Sequence, residues 1–342
     1  MTAHFSKHVL DFTFNAGTSR GVMKQRPTWF LTITDGKKTG IGECAPIEGL
    51  SIDLLDTFDA KLQWVCDNID LGFAVLYDAL EAYPSIRTGL EMAFISLKGD
   101  HPHSLFLNPF SKGKAGIPIN GLIWMDSADK MEAQIQKNIK AGYKCVKMKV
   151  GAINTAEEIA IIERIREKYE PWEMEIRLDA NGAFSEDNVW DILDELVQLE
   201  IHSIEQPVKD KALLQKLCAE SPVPIALDES LIGIHSMEDK EALIEEMLPD
   251  YIVIKPSLVG GFRAAEDWIS LAEKNGIGWW VTSALESNVG LNAIAQWLGN
   301  YPLRIHQGLG TGQLYKNNIE SPLQIKKGKL FYSRTKAWGE VN

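Results

Sequence analysis

With 342 residues, 45% of them apolar and 24% charged, the chain is long enough for two domains and has the composition of a globular protein, which excludes general disorder. Its formal net charge of -12, from 47 acidic and 35 basic residues, opposes a nucleic-acid or anionic-membrane partner, and no window approaches the roughly 18 apolar residues of a membrane span. Cys44, Cys66, Cys145 and Cys218 are far apart and form no C-x-x-C pair, and Met1 to His8 has no apolar run behind a basic stretch, so the expectation is a reduced, cytoplasmic protein without a secretory signal.

The first hundred or so residues mix strands and helices. Phe5 to Phe14 alternates loosely, Thr28 to Thr34 is β-branched and aromatic, and Asp35-Gly36 supplies a turn before Gly40 to Cys44. Helical spacing follows in Leu54, Leu55, Phe58, Leu62 and Val65, and again from Thr88 to Leu97. A loop from His101 to Gly116, rich in Pro, Gly, Ser and Lys, closes this α+β unit. Short apolar runs then alternate with amphipathic stretches: Ile117–Trp124, Cys145–Val150, Glu175–Asp179, Ser203–Glu205, Ile225–Asp228, Tyr251–Lys255, Gly278–Thr282 and Arg304–Leu309. Eight strands with seven intervening helices would close into a parallel barrel. From Tyr315 the text is polar and strand-like, and it is expected to return to the first domain.

The ionisable residues fall in a pattern. Lys149, Asp179, Glu205, Asp228 and Lys255 each end an apolar run, at separations of 23 to 30 residues, about one βα unit. In a parallel barrel such positions share one mouth, where barrel active sites are built. Three carboxylates on adjacent strands suit a hard divalent cation, magnesium before manganese. A lysine on each side of the triad suggests proton removal beside a carboxylate, with the metal stabilising the enediolate. No histidine stands at these strand ends, which disfavours a histidine base.

Val146-Lys147-Met148-Lys149 resembles the K-x-K motif of the muconate-cycloisomerase subgroup of the enolase superfamily. Arg177 to Gly182, Ile204-Glu205-Gln206-Pro207, Leu227-Asp228-Glu229-Ser230 and Ile254-Lys255-Pro256 match its later motifs in order. The resemblance implies a modified (β/α)7β TIM-type barrel over residues 113–314, an α+β capping domain over 1–112, and a C-terminal segment, 315–342, packing on that cap. It also implies Asp179, Glu205 and Asp228 as metal ligands and Lys149 and Lys255 as paired catalytic lysines. Within the subgroup, Pro118 to Met125, Ser283 to Gly290 and Gln307 to Gly312 are most similar to the o-succinylbenzoate synthase family, dehydratases of menaquinone synthesis. Dipeptide epimerases usually carry an Asp-x-Asp near the last strand. Here Leu309-Gly310-Thr311 stands in that place, with no acid.

By the same likeness, backbone near Ser283 and Gly308 would hold a remote carboxylate of a small anionic substrate, with Arg177 and Asn181 lining the pocket. Two capping-domain loops, Ala16 to Arg26 and Pro46 to Ser51, would shape it. Other readings stay open at this stage. Lys147 either contacts substrate or screens charge, Arg177 either contacts substrate or forms a structural salt bridge, and Glu229 either supports the metal or a lysine from behind or caps a turn. Ser283 reads either as only the N-cap of the helix after the seventh strand or as part of an anion site, and the two are compatible. Trp279 and Trp280 read as wall packing. An N-acylamino acid racemase or dipeptide epimerase on the same scaffold is the competing function, and the sequence gives no oligomeric state.

Overall fold

A computed structural model describes residues 1–18, 21–151 and 154–341 of the chain. Strands β1 (Thr2–Thr18), β2 (Gly21–Thr34) and β3 (Thr39–Cys44) form an antiparallel sheet in that order. The β2–β3 turn is closed by Asp35, whose Oδ1 accepts from the amides of Lys37 and Lys38, both at 2.8 Å. The region expected to be a loop from Ala16 to Arg26 is instead mostly hairpin, because Ala16, Gly17 and Thr18 pair with Met23, Val22 and Gly21. Its two tip residues, Ser19 and Arg20, lie outside the described residues.

Helices α1 (Phe58–Asp67), α2 (Gly72–Asp78) and α3 (Pro84–Lys98) complete this domain. Pro84 opens α3 at a position where its missing N–H costs nothing. The helix lies close on β3: a Cβ at Gly42 would come 1.9 Å from the Gly89 carbonyl oxygen, so the approach requires glycine. Leu54 and Leu55, expected in the first helix, precede it.

The barrel begins after β4 (Ile117–Pro118). Its strands are β5 (Gly121–Ile123), β6 (Cys145–Lys149), β7 (Glu175–Asp179), β8 (Ser203–Glu205), β9 (Ile225–Leu227), β10 (Tyr251–Ile254) and β11 (Gly278–Val281), hydrogen-bonded in sequence order and all parallel. Helices α4 (Ala128–Lys140), α5 (Thr155–Arg166), α6 (Val189–Val197), α7 (Lys211–Glu220), α8 (Met237–Met247), the short α9 (Pro256–Val259), α10 (Phe262–Lys274) and α11 (Asn288–Leu298) surround them. Their apolar faces and the outward strand residues form the largest core, with Trp268 and Trp297 fully buried in it. The fold is thus α/β, a TIM-type barrel with an N-terminal α+β domain. Among the described residues, no helix is long and apolar enough to cross a membrane.

Two expected strands differ. The run Ile117–Trp124 is split: β4 leaves the barrel to pair with the chain's tail, and only Gly121–Ile123 joins the ladder. The eighth run, Arg304–Leu309, makes no ladder among the described residues. It closes the barrel through single bridges, Gln307 to Ile119 and Gly308 to Thr282. Part of the reason is a side chain standing in for backbone: Gln307 Oε1 accepts from the Val281 amide at 2.8 Å.

The tail divides its contacts between the two domains. Where the β1–β2 register shifts between Asp11 and Ala16, Phe12 bridges to Tyr315 and the Thr13 amide donates to the Leu314 carbonyl at 2.8 Å. Further on, β12 (Leu323–Lys326) and β13 (Lys329–Tyr332) form a hairpin that adds to β4. Its turn residues Lys327 and Gly328 both have positive φ, 48° and 67°, the backbone a tight two-residue hairpin demands.

Candidate active site at the barrel mouth

The C-terminal ends of the strands open into a cavity of about 470 Å³, within the range of small-molecule sites. Lys147 and Lys149 enter it from β6, Asp179 from the end of β7, Asn181 just beyond, Glu229 after β9 and Lys255 after β10. Ser283 and Gly308 line the opposite wall with Thr282, Ala284, Gly310 and Thr311. Glu205 and Asp228 lie deeper, both almost fully buried, and contact the lysines from below. Register accounts for the grouping: Lys149 pairs with Asp179, and Asp179 with Glu205, across three parallel strands.

The polar contacts are dense. Lys149 Nζ donates to Asp179 Oδ2 at 3.0 Å and to Asn181 Oδ1 at 2.7 Å. Asn181 in turn donates from Nδ2 to Glu229 Oε1 at 2.9 Å, holding its backbone at φ 47° to do so. Lys147 Nζ stands between Asp179 Oδ2, at 3.0 Å, and Glu205 Oε2. Lys255 Nζ reaches Asp228 Oδ2 at 2.5 Å. Gln206 fixes the turn that carries Asp228, because its Oε1 accepts from the Asp228 amide at 3.3 Å and the Ser230 hydroxyl at 3.1 Å.

Charge is not balanced here. Four carboxylates, Asp179, Glu205, Asp228 and Glu229, face three ammonium groups. Burial pushes Glu205 up to about 7, helped by the repulsion of Asp179 and Asp228 and only partly offset by Lys147. Asp228 is raised for the same leading reason, despite Lys255. Burial would also raise Asp179, but the charges of Lys147 and Lys149 outweigh it and hold its carboxyl well below the usual range. For Lys255 burial favours the neutral amine, yet Asp228, with Glu229 and Asp179, overcomes that and keeps the group charged. Lys147 is held charged by Asp179 and Glu205 in the same way.

These residues fit a divalent cation. The donors are all carboxylate oxygens on adjacent strands, as a hard cation requires. Asp179 Oδ1 and Glu205 Oε1 are buried without a hydrogen-bond partner, leaving acceptors for a positive charge. The three acids are not drawn around one point among the described residues; the Lys147 ammonium sits between two of them and Lys255 draws the third aside. A positive charge already settles at this place.

A second cluster lies four residues below Lys149 and Asp179 on the same strands, at the barrel floor. Cys145, Glu175 and His306 bring one ligand atom each within 4.8 Å. Arg177 is here and not in the cavity, which corrects its expected place in the pocket. Its Nε and Nη2 meet Glu175 Oε1 at 2.7 and 2.6 Å, its Nη1 donates to the His306 carbonyl at 2.9 Å, and its guanidinium stacks on Trp280 at 4.2 Å. Strand alternation does turn Arg177 inward with Asp179, but two residues lower in the barrel. Glu175 is already matched by that guanidinium, so the floor cluster holds its cation in the form of a side chain.

The expected backbone donors of Ser283 and Gly308 are also committed elsewhere. The Ser283 amide donates to the Gly308 carbonyl at 3.0 Å and the Gly308 amide to the Val281 carbonyl at 2.8 Å, which are barrel-closing bonds. The Ser283 hydroxyl donates to Glu286 and accepts from Thr311. Among the described residues, the neighbouring amides of Ala284 and Leu285 have no protein acceptor, and both residues border the cavity. The cap contributes Met23, Ile47 and Leu50 from the two segments expected to shape the pocket, whereas the apolar wall of Leu122 and Trp124 from the first strand region, with Leu285, was not anticipated. The signal was present in part, since Asn120, Leu122 and Trp124 alternate by two and so share one face.

Comparison with known proteins agrees with this fold. Residues 130–336 match the family model described as Enolase C-terminal domain-like. An o-succinylbenzoate synthase from Desulfotalea psychrophila is 41% identical, covering 96% of this chain and 98% of its own. The chain belongs to the enolase superfamily, in its o-succinylbenzoate synthase family. The crystal structure of MenC from Desulfotalea psychrophila superposes on this enolase-superfamily member with a TM-score of 0.88 at 37% identity, covering 97% of this chain and 99% of that one. A dipeptide epimerase from Enterococcus faecalis, solved with Mg and L-Leu-L-Tyr, has the same fold, with a TM-score of 0.82 at 20% identity, covering 99% and 98%. An L-Ala-D/L-Glu epimerase from Bacillus subtilis is more distant in sequence, 25% identical over 87% of this chain and 82% of its own.

Proposed function

We propose that this chain is a magnesium-dependent o-succinylbenzoate synthase, which removes water from 2-succinyl-6-hydroxy-2,4-cyclohexadiene-1-carboxylate in menaquinone synthesis. Asp179, Glu205 and Asp228 would hold Mg2+, with Mn2+ as a substitute. When bound, the cation supplies positive charge against the enediolate that forms as the α-proton leaves. Lys149 takes that proton on Nζ from the ring carbon bearing the carboxylate. The C–O bond to the β-hydroxyl then breaks, Lys149 returns the proton to the departing oxygen as water, and the ring becomes aromatic. Lys255 stays protonated and faces the developing negative charge, a role suited to a lysine its carboxylate neighbours keep charged.

Asn181 orients the Lys149 amine by accepting from it, while Glu229 anchors Asn181 from behind. Leu122, Trp124 and Leu285 pack on the ring and methylene surface. The succinyl carboxylate meets the amides of Ala284 and Leu285 on the wall that also carries Ser283 and Gly308. A reduced, cytosolic setting belongs to the same reading, given free Cys44, Cys66, Cys145 and Cys218.

The observation that carries this reading over a dipeptide epimerase is the wall built by Thr282 to Leu285, Gly308, Gly310 and Thr311. It presents no carboxylate, so a dipeptide's ammonium finds no partner there. Racemisation of N-acylamino acids is the second reading, favoured by two lysines that face one cavity and serve a two-base exchange equally well. Incubation with the cyclohexadiene carboxylate and, separately, with N-succinylamino acids in deuterated water distinguishes them. Formation of o-succinylbenzoate is expected. Deuterium at the amino-acid α-carbon with no dehydration product would replace this assignment with the racemase.

A further inference from the structure

We propose that Glu43, a capping-domain residue far from the chemistry, is a positioning residue that sets the Ser283–Leu285 wall of the cavity. The inference rests on the reading of that cavity as the active site. Glu43 ends the first sheet, on β3, and is fully buried. Its carboxylate reaches across the domain boundary to the start of α11. Oε1 accepts from the Ser287 amide at 2.8 Å, and Oε2 accepts from the Ser287 hydroxyl at 2.6 Å and the Gly290 amide at 2.8 Å. A carboxylate there meets unpaired N–H groups and the positive end of the helix, so one domain supplies the helix cap of the other.

The contact continues in both directions. On the cap side, Thr28 donates to Glu43 Oε1 at 2.7 Å, and Arg26 stands 3.9 Å away. Arg26 also donates from Nη2 to the Ala45 carbonyl at 2.7 Å, just before the cavity-lining cap residues Ile47 and Leu50. On the barrel side the residue before Ser287 is Glu286, fully buried between two loops of the mouth. It accepts from the Ser257 hydroxyl at 2.6 Å, two residues past Lys255, and from the Ser283 hydroxyl. Leu285, between those anchors, holds φ 61°, a conformation rare for a branched side chain, and its carbonyl accepts from Tyr315 Oη at 2.7 Å. The cap segment, the wall and the Lys255 loop thus share one hydrogen-bonded frame, in which Glu43 is the carboxylate that crosses from the cap to α11. Docking of the cap and the shape of the substrate wall are therefore one coupled event.

The test compares the wild type with Glu43→Gln, which keeps the shape but turns a donor toward the α11 amides, and with the milder Thr28→Val. Hydrogen exchange is read at the Ser283, Ser287 and Gly290 amides, and kcat and KM are read separately. Exchange at those three amides is expected to rise about 10-fold in Glu43→Gln while β6 to β10 keep their protection. KM is expected to rise about 10-fold, roughly 1.4 kcal/mol, with kcat within a few-fold. Thr28→Val should move both readouts in the same direction by less. Exchange that rises evenly through the barrel, with kcat lowered and KM unchanged, would make Glu43 a structural residue and overturn the inference. Unchanged exchange would overturn it too. A wild type that makes no o-succinylbenzoate removes the proposed substrate alone, since the exchange data still decide the role of Glu43.

Discussion

The mouth and the floor of the barrel are built by the same strands from the same kinds of residue, yet they do opposite things. Along β6 the inward positions are Cys145, Lys147 and Lys149; along β7 they are Glu175, Arg177 and Asp179. At the floor, Glu175 meets Arg177 through two contacts and the buried guanidinium lies on Trp280, while Glu175 and His306 keep 22% and 23% of their side chains exposed. Every charge there has its partner. At the mouth, four carboxylates crowd three lysines beside an open cavity, and two carboxylate oxygens are buried without partners. A matched ion pair is a structural plug, whereas unmatched acid around a cavity is chemistry waiting for a cation and a substrate.

Substitutions at the two levels should therefore separate cleanly. Lys149→Ala or Lys255→Ala should reduce kcat by ~10³- to 10⁴-fold in steady-state kinetics, and Lys149→Ala should change thermal stability little in calorimetry because Asp179 keeps Lys147. Comparable turnover in Lys149→Ala would remove it as the base. At the floor, Arg177→Met leaves the partly exposed Glu175 with only His306 beside it, which should lower stability by about 1–3 kcal/mol in denaturant titration. Because Arg177 lies outside the cavity, KM should stay within about two-fold, taken as the scatter expected of sites that do not couple. Glu205→Gln at the mouth should weaken metal affinity by more than ~100-fold, beyond what losing an outer partner of a ligand does. Isothermal titration with Mg2+ reads this directly, and an unchanged affinity would take Glu205 out of the ligand set.

The smallest expected effect is a pH response of the floor. His202 stands just before β8 with its ring against Tyr251 and Trp280, and burial, with the charge of Arg177, lowers it to about 4. A depressed histidine favours the folded state above its ordinary value of 6.5, and that contribution is lost as pH falls from 6.5 through about 4. Wild-type stability should fall by on the order of 1–3 kcal/mol across that window. His202→Gln should remove part of the fall, since buried His103, also lowered to about 4, keeps its own share. An equal fall in the variant would place the acid sensitivity elsewhere.

Much of this was legible in the sequence because barrels repeat. A charged residue at the end of five successive apolar runs, one βα unit apart, brings Lys149, Asp179 and Lys255 to one cavity wherever the intervening helices bend. Depth along a strand was harder to read. Period-two alternation turns Arg177 and Asp179 to the same side, but it does not say which of them reaches the mouth. Barrel closure was also hidden, since the eighth run replaces ladder bonds with a Gln307 side chain and two bridges. The frame around Glu43 was out of reach for another reason: its partner Ser287 lies 244 residues away, and no periodicity links an acid in one domain to a helix start in the other.

The most direct test is turnover of 2-succinyl-6-hydroxy-2,4-cyclohexadiene-1-carboxylate by a single preparation, first with Mg2+, then with chelator, then with Mg2+ restored. Rapid formation of o-succinylbenzoate that stops in chelator and returns with the metal is the predicted result. Conversion that continues undiminished in chelator would contradict a mouth built around a cation.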